Sequence, residues 1–166
     1  TKNLFLNLTN AEQSSATIWN NTSPTSSVFS IGTSDGVNKT DTHIAYCFAE
    51  VEGYSKFGGW VGNGSTDGQY VDLGFKPAFL FFKCTSAVDA WQIYDNKRRA
   101  YNAYGESIAP NSSAVEGSFS ERVDLLSTGF KTRSTNTAIN GSGESYVYAA
   151  FAHSPFKTAT AFGIES

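Results

Sequence analysis

The sequence lacks a long apolar run, an excess of charge of one sign, and any methionine. No stretch approaches the roughly 20 apolar residues that a helix needs to cross a bilayer, so membrane insertion is not expected. Lys and Arg total 12 against 15 Asp and Glu, a net charge of -3, which gives no electrostatic reason to expect nucleic acid as a partner. An encoded protein begins with Met, whereas this chain begins with Thr1, and we therefore expect further residues upstream.

Charged residues and cysteines are also scarce. Only 16% of the 166 residues are charged, while 14% are aromatic and 15 are Gly, a composition typical of a folded, turn-rich chain. Cys47 and Cys84 each lie within an apolar run, and we predict that both are small, buried, free thiols. The sequence does not show whether their Cα atoms are close enough for a disulfide.

Short runs that are apolar on both faces predict the fold class. HIAYCFA (residues 43–49) and SYVYAAFA (residues 145–152) each alternate two largely apolar sets of side chains, which is typical of central strands covered on both sides. PAFLFFKC (residues 77–84) predicts another buried strand. Further strands are predicted in QYVDLGF, WQIYD and VDLLSTGFKTR, and at most one short helix, near residues 95–104 or 116–126. The chain is therefore predicted to be an all-β, antiparallel β-sandwich.

Two parts of the chain resemble each other. Residues 26–49 and 127–152 each contain a Phe strand, a polar loop and an aromatic–alanine strand, so that Phe48 matches Phe151 and Ile44 matches Val147. We predict an internal repeat with a period of roughly 100 residues.

The predicted repeat divides the chain into two unequal parts. Residues 1–57 would be the C-terminal half of a first copy and residues 58–166 a complete second copy, linked through residues 53–59 and packed as one globular unit. The first copy contains no counterpart of GFKPAFLFFK (residues 74–83).

The motifs that could form a catalytic, cofactor-binding or metal-binding site are better explained by structural roles. GNGSTDG (residues 62–68) lacks the dinucleotide-binding spacing, and its Asn-Gly and Asp-Gly pairs predict a turn. His43 and His153 have no ligand partners at metal-site spacing, and no nucleophile motif is present. Glu50 and Glu52 could mimic a glycosidase pair, although a solvated strand end explains them equally well. We predict no catalytic, cofactor-binding or metal-binding residue and no enzyme activity; glycan hydrolysis is a distant alternative.

Aromatic side chains and a basic cluster are the remaining candidates for a binding surface. Aromatic rings stack on sugars or fill partner pockets, and DNKRRAYNAY (residues 95–104) adds basic side chains beside two tyrosines. The alternative is that these rings pack inside the sandwich or at a subunit interface. The candidate contacts for a partner or a glycan are Trp60, Tyr70, Trp91, Arg98, Arg99, Tyr101 and Tyr104.

Four stretches carry a resemblance to a known family: NTSPTSSVFSIGTSDGVN, IAYCFAEVEGYSKFG, GNGSTDGQYVDLGFKPAFLFFK, and LLSTGFKTRS followed by YVYAAFAHSPFK. They resemble a repeat domain of virion proteins of tailed bacteriophages, mostly marine ones. His153 departs from the pattern, because an acidic residue is expected there. The family supplies no catalytic or binding residues to transfer.

The resemblance implies a structural protein of the virion, such as a tail fibre, an appendage or a capsid decoration. Its partners would be other virion proteins and further copies of itself, a trimer by analogy with fibres. The alternative function is that of an adhesin module that binds a host receptor or a host-surface carbohydrate. No cofactor is expected, and the position on the virion is left open.

Overall fold

The computed structural model describes residues 1–99 and 101–154, apart from the side chains of residues 118–121. Within these residues the chain forms ten strands and one short helix. They are β1 (Lys2–Asn3), β2 (Gln13–Ser14), β3 (Ser55–Val61), β4 (Tyr70–Asp72), β5 (Pro77–Cys84), β6 (Gln92–Asp95), β7 (Tyr104–Ser107), β8 (Gly117–Leu125), β9 (Gly129–Thr132), α1 (Thr137–Asn140) and β10 (Ser145–Ala152). No helix in this part of the chain is long and apolar enough to cross a membrane.

Two four-stranded sheets form the body of the protein, with the strand orders β3-β10-β5-β6 and β4-β9-β8-β7. Every strand pairing is antiparallel. An isolated bridge between Ile93 and Ile108 joins the β6 edge of the first sheet to the end of β7 in the second. β3 and β4 form the opposite edges. The prediction of an all-β, antiparallel sandwich is confirmed.

The apolar pattern of β10 follows from its central position in the first sheet. Its inward side chains, Tyr146, Tyr148 and Ala150, are buried. β10 pairs on one side with β3, where Tyr146 lies opposite Trp60, and on the other with β5, where Tyr148 lies opposite Phe82. The inward face of β10 packs on the core, whereas its outward face is only partly covered: Val147 is 38% exposed, and Phe151 is half-buried against neighbouring rings.

The core lies between the two sheets and is rich in aromatic rings. The first sheet contributes Trp60, Leu80, Phe82, Tyr94, Tyr146 and Tyr148, and the second contributes Val71, Tyr104, Val123, Leu125 and Phe130. Trp60 stacks on Tyr146 with ring centroids 4.6 Å apart, while Phe82 and Phe130 present their edges to it. The contact with Tyr146 thus joins neighbouring strands of the first sheet, and the contact with Phe130 joins that sheet to the second.

The prediction of a strand at residues 43–49 is wrong. These residues have no regular secondary structure, and Ile44, Tyr46 and Phe48 are 77%, 80% and 69% exposed. A strand needs a neighbour to satisfy its backbone, and residues 44–48 make no backbone–backbone hydrogen bond to any other described residue. Cys47, predicted to be buried, is exposed; both cysteines are free thiols, and Cys84 is buried.

Two further local predictions need correction. The helix lies at Thr137–Asn140, where Asn136 caps it by accepting a hydrogen bond from the Ala138 N–H, and not near residues 95–104 or 116–126. β3 begins at Ser55, inside the predicted link of residues 53–59, and runs across the predicted boundary between residues 57 and 58. The two repeat-related stretches differ in secondary structure, and the repeat itself stays a prediction.

The N-terminal residues lie against the connection between β5 and β6 of the first sheet. The Glu12 N–H donates to the Thr85 carbonyl at 2.7 Å, and the Asp89 N–H donates to the Thr9 carbonyl at 2.9 Å. The Trp91 indole N–H donates to the Phe5 carbonyl at 2.9 Å, and its ring stacks on Phe81. Trp91 therefore connects the N-terminal segment, residues 1–15, to the sandwich.

Candidate functional site

The residues predicted to contact a partner are divided between the core and the surface. Trp60, Trp91 and Tyr104 are only 8%, 8% and 5% exposed, so their rings pack inside the protein. Tyr70 and Tyr101 are 42% and 65% exposed. Three of the predicted contact residues therefore stabilise the sandwich, and the exposed tyrosines remain available for binding.

Tyr70 is separated from the other exposed candidates. It lies on β4, at the edge of the second sheet opposite β7. Its hydroxyl is 2.7 Å from the Thr128 hydroxyl and donates a hydrogen bond to Asp72. The structure does not bring it into one site with Tyr101.

The loop between β6 and β7 brings Arg99 and Tyr101 together. The Arg99 guanidinium lies over the Tyr101 ring, 4.7 Å from its centroid, and pairs with Glu106 at 3.4 Å. The pKa of Glu106 is lowered by its own backbone N–H, by the Gly105 N–H and by Arg99, against the opposing effect of burial. This arrangement holds a cation against an exposed aromatic ring, a surface that suits a polar partner.

Arg98 stabilises the beginning of the same loop. It pairs with Asp95, donates to the Ile93 carbonyl at 2.9 Å, and lies 3.6 Å from Glu116. Burial acts to raise the pKa of Asp95, but the Lys97 and Arg98 N–H groups and the Arg98 guanidinium outweigh it and lower the pKa. Because acidic side chains pair with both arginines, much of the positive charge predicted for this loop is neutralised within the protein.

The GNGSTDG segment forms the connection between β3 and β4, with a positive φ of 67° at Gly64. The fully buried Asn140 side chain holds it. Asn140 Nδ2 donates to Asn63 Oδ1 and to the Ser65 carbonyl, both at 2.8 Å, and Asn140 Oδ1 accepts from the Asn63 N–H at 3.1 Å. The polar atoms of Asn63 and Ser65 that could have contacted a ligand instead hydrogen-bond to Asn140 of α1.

Replacement of Asn140 by alanine is expected to lower the free energy of unfolding by about 1–3 kcal/mol, because it leaves buried donors and acceptors of the loop unpaired. Urea denaturation followed by tryptophan fluorescence measures the change. The exposed Asn10→Ala is the control and should fall within about 0.5 kcal/mol of the wild type. A loss for Asn140→Ala no larger than that of the control would contradict the assignment.

A second candidate surface is an apolar groove in the N-terminal part of the chain. It has a volume of about 790 Å³ and is formed by residues 24–29, by residues 43–49 and by a few side chains between and before them. Trp19, Phe29, Ile31 and Val37 contribute apolar surface. Among the described residues, no Asp, Glu, Lys or Arg side chain lines the groove. It therefore suits an occupant that is uncharged where it makes contact.

The exposed rings of this region continue onto the sandwich. Phe48 contacts Phe57 and Phe151, with ring centroids 6.3 and 6.1 Å apart, and Phe151 in turn contacts Phe79 and Tyr54. These side chains extend the apolar surface of residues 43–49 across β3, β10 and β5. Contiguous exposed apolar surface marks sites of interaction with other proteins.

Sequence reasoning missed this surface because it assigned residues 43–49 to the core. A two-sided apolar pattern shows that a segment can be buried, but it does not show whether anything in the chain covers it.

Within residues 1–99 and 101–154, no group of three or more His, Cys, Asp or Glu side chains is placed to hold a metal ion.

Comparison with known proteins yields one family. The family model described as Domain of unknown function (DUF7483) matches residues 1–155. No curated protein and no solved structure matches the chain.

Proposed function

The chain belongs to the DUF7483 family, and we propose that it is a structural module of a bacteriophage virion that acts through protein–protein contacts. The uncovered apolar surface of residues 43–49 carries the proposal. Three large side chains that are between 69% and 80% exposed within one heptapeptide are unusual for a protein surface that contacts only water. The sequence resemblance to phage virion proteins names the kind of assembly in which such a surface would be covered.

The location of the protein in the particle tests this proposal. An antibody raised against the purified chain, applied to purified particles of the phage that encodes it, should label one fixed position in immunogold electron microscopy. Pre-immune serum serves as the control. If the protein is present in infected lysate but the purified particles carry no label and no peptide of the chain, the proposal is wrong.

The alternative, an adhesin module that binds a host glycan, is favoured by the exposed ring of Tyr101 beside Arg99. An aromatic ring next to a hydrogen-bond donor can stack on a sugar and donate to its hydroxyls. Binding to a glycan array should then be lost in Tyr101→Ala and kept in Tyr70→Ala, since Tyr70 lies on the opposite edge of the sheet. Absence of glycan binding by the wild-type chain would exclude this alternative.

A further inference from the structure

We propose that residues 43–49 are a strap that closes onto the free edge of β3 as a fifth strand of the first sheet, in a register fixed by the bridge between Val51 and Ser55. The structure shows the strap in its open position, with the first pair of the ladder already formed. The inference rests on the proposed function, because closure would cover the apolar surface through which the chain is proposed to act.

The free edge of β3 presents a row of unpaired backbone groups. β3 is the end strand of its sheet and pairs with β10 alone. The N–H and C=O groups of successive residues in a strand point to alternate sides, and the Gly62 N–H donates to the Glu144 carbonyl on the β10 side at 2.8 Å. Phe57, Gly59 and Val61 therefore point to the other side, where none of them has a backbone partner among the described residues.

This edge lacks the features that usually protect an end strand. Native proteins blunt such edges with proline, bulges, charged side chains or short strands, or cover them with another segment. β3 spans seven residues, contains no proline, has Lys56 as its one charged residue, and pairs with β10 without a shift of register. β4, the end strand of the second sheet, is only three residues long. We therefore expect a segment of chain to cover β3.

The residues just before β3 already form the start of a hairpin on this edge. The Ser55 N–H donates to the Val51 carbonyl at 2.9 Å, and the Val51 N–H donates to the Ser55 carbonyl at 3.1 Å. Residues 52–54 form the loop, in which Gly53 has a positive φ of 72°, as is typical of hairpin loops. The bridge fixes how any further residues of the hairpin would pair.

Extension of the ladder from this bridge uses all the free groups of the edge. In steps of two residues, it places residues 49, 47 and 45 opposite Phe57, Gly59 and Val61. Every second pair of an antiparallel ladder exchanges both of its hydrogen bonds, and these are the pairs in question. Residues 44–48 have free groups to offer, since they make no backbone–backbone hydrogen bond within the described part of the chain. Closure therefore satisfies both unpaired rows at once.

Side chains occupy the place of the next pair in the open position. The Phe57 N–H donates to Glu50 Oε1 at 3.1 Å, and the Ala49 carbonyl accepts from Ser55 Oγ at 2.9 Å. In the closed ladder, the Phe57 N–H and the Ala49 carbonyl would bond to each other. The released Glu50 would then lie opposite Lys56, and cross-strand pairs of opposite charge stabilise a sheet.

The side chains of the strap fit the two faces of the extended sheet. Because side chains alternate between faces, Ile44, Tyr46 and Phe48 would lie on the face of Trp60, with Tyr46 opposite Trp60 and Phe48 opposite Gly58. These three side chains are 77%, 80% and 69% exposed in the open position. The small alanine and cysteine side chains of the strap would lie on the outer face. Closure thus removes large apolar side chains from water, which favours it.

A disulfide between positions 45 and 61 tests the register. Ala45→Cys and Val61→Cys are combined with Cys47→Ser, which leaves the buried Cys84 as the native thiol. In the closed ladder the Cα atoms of the two positions would be about 5.5 Å apart, within the range of a disulfide. The control combines Ile44→Cys and Val61→Cys with Cys47→Ser, because a shift of one residue moves the thiol to the other face. In a glutathione buffer the test pair should form at least about tenfold more intramolecular disulfide than the control pair.

Hydrogen exchange shows whether the locked strap is a strand. In the oxidised test variant the Gly59 N–H gains the carbonyl of position 47 as its acceptor. Its exchange, followed by NMR, should be at least about tenfold slower than in the reduced form. The Trp60 N–H points towards β10 and is the internal control, which should exchange at the same rate in both forms.

Equal yields for the test and control pairs would show that the strap has no fixed register, and would overturn the inference. A disulfide that forms only between two copies, or an unchanged exchange rate of Gly59 in the oxidised variant, would also overturn it. Positions 44, 45 and 61 are exposed, and circular dichroism of the reduced variants checks that both are folded. Immunogold label of the wild-type chain on particles, together with equal yields, would overturn this inference and leave the proposed function standing.

Discussion

Replacement of Trp60 by alanine is expected to lower the free energy of unfolding by about 3–5 kcal/mol, the cost typical of removing a large aromatic side chain from a core. Trp60 is 8% exposed and touches both sheets: it stacks on Tyr146 of β10 and contacts Phe130 of β9 at 5.4 Å. Because small domains are stable by only about 5–15 kcal/mol, this one change would remove much of the stability. Urea denaturation followed by circular dichroism measures it.

Two controls separate loss of packing from loss of any tryptophan. Trp60→Phe keeps most of the ring contacts and removes an indole N–H that is buried without a partner among the described residues, so it should cost clearly less than the alanine change. Trp19→Ala removes a half-buried ring outside the sandwich and should barely alter the unfolding of the sheets. Equal losses for Trp60→Ala and Trp19→Ala would contradict the assignment of Trp60 to the core.

Replacement of Trp91 by alanine is expected to cost about 3 kcal/mol and, in addition, to release the N-terminal segment from the sheet. The ring stacks on Phe81 with centroids 4.5 Å apart, and the indole N–H donates to the Phe5 carbonyl. Without both contacts, the hydrogen bonds among the described residues that still join residues 1–15 to the sandwich are those of Glu12 with Thr85 and of Asp89 with Thr9. Limited proteolysis should therefore cleave this segment faster in the variant, while the sandwich stays folded.

The conservative variant Trp91→Phe distinguishes the ring from its N–H. It retains the stacking on Phe81 and loses the hydrogen bond to Phe5, which should cost about 1 kcal/mol and accelerate cleavage only slightly. If Trp91→Ala is cleaved in the N-terminal segment at the wild-type rate, Trp91 does not hold that segment against the sheet.

Both predictions change the interpretation of the aromatic residues. The many aromatic side chains suggested a binding surface. The basic loop at residues 95–104 suggested that this surface is positively charged. In the structure, the predicted contact residues Trp60 and Tyr104 lie in the core between the sheets. The arginines of the loop, Arg98 and Arg99, are paired with acidic side chains: Asp95, Glu106 and Glu116. The surface that remains uncovered is aliphatic and aromatic, lies in the N-terminal part of the chain, and favours contact with another protein.

The local sequence pattern was sufficient to predict the strands that pair with other strands of the chain. The strands predicted at residues 77–84 and 145–152 have the same limits in the structure, and the turn before Gly129 connects β8 to β9. Each of these segments combines a two-sided apolar pattern with turn residues at its ends, and each pairs with other strands of the same chain. Under those conditions the sequence pattern and the tertiary structure favour the same conformation.

In residues 43–49 the sequence pattern and the tertiary structure do not favour the same conformation. Their sequence is as apolar as that of β10, and the sequence by itself determined that they are chemically suited to a buried strand. Whether they form one depends on a second strand at hydrogen-bonding distance and on a core that covers one face, and only the tertiary structure decided that β10 has both and residues 43–49 do not. Strand formation is a property of a pair, because the backbone of an isolated strand hydrogen-bonds to nothing but water.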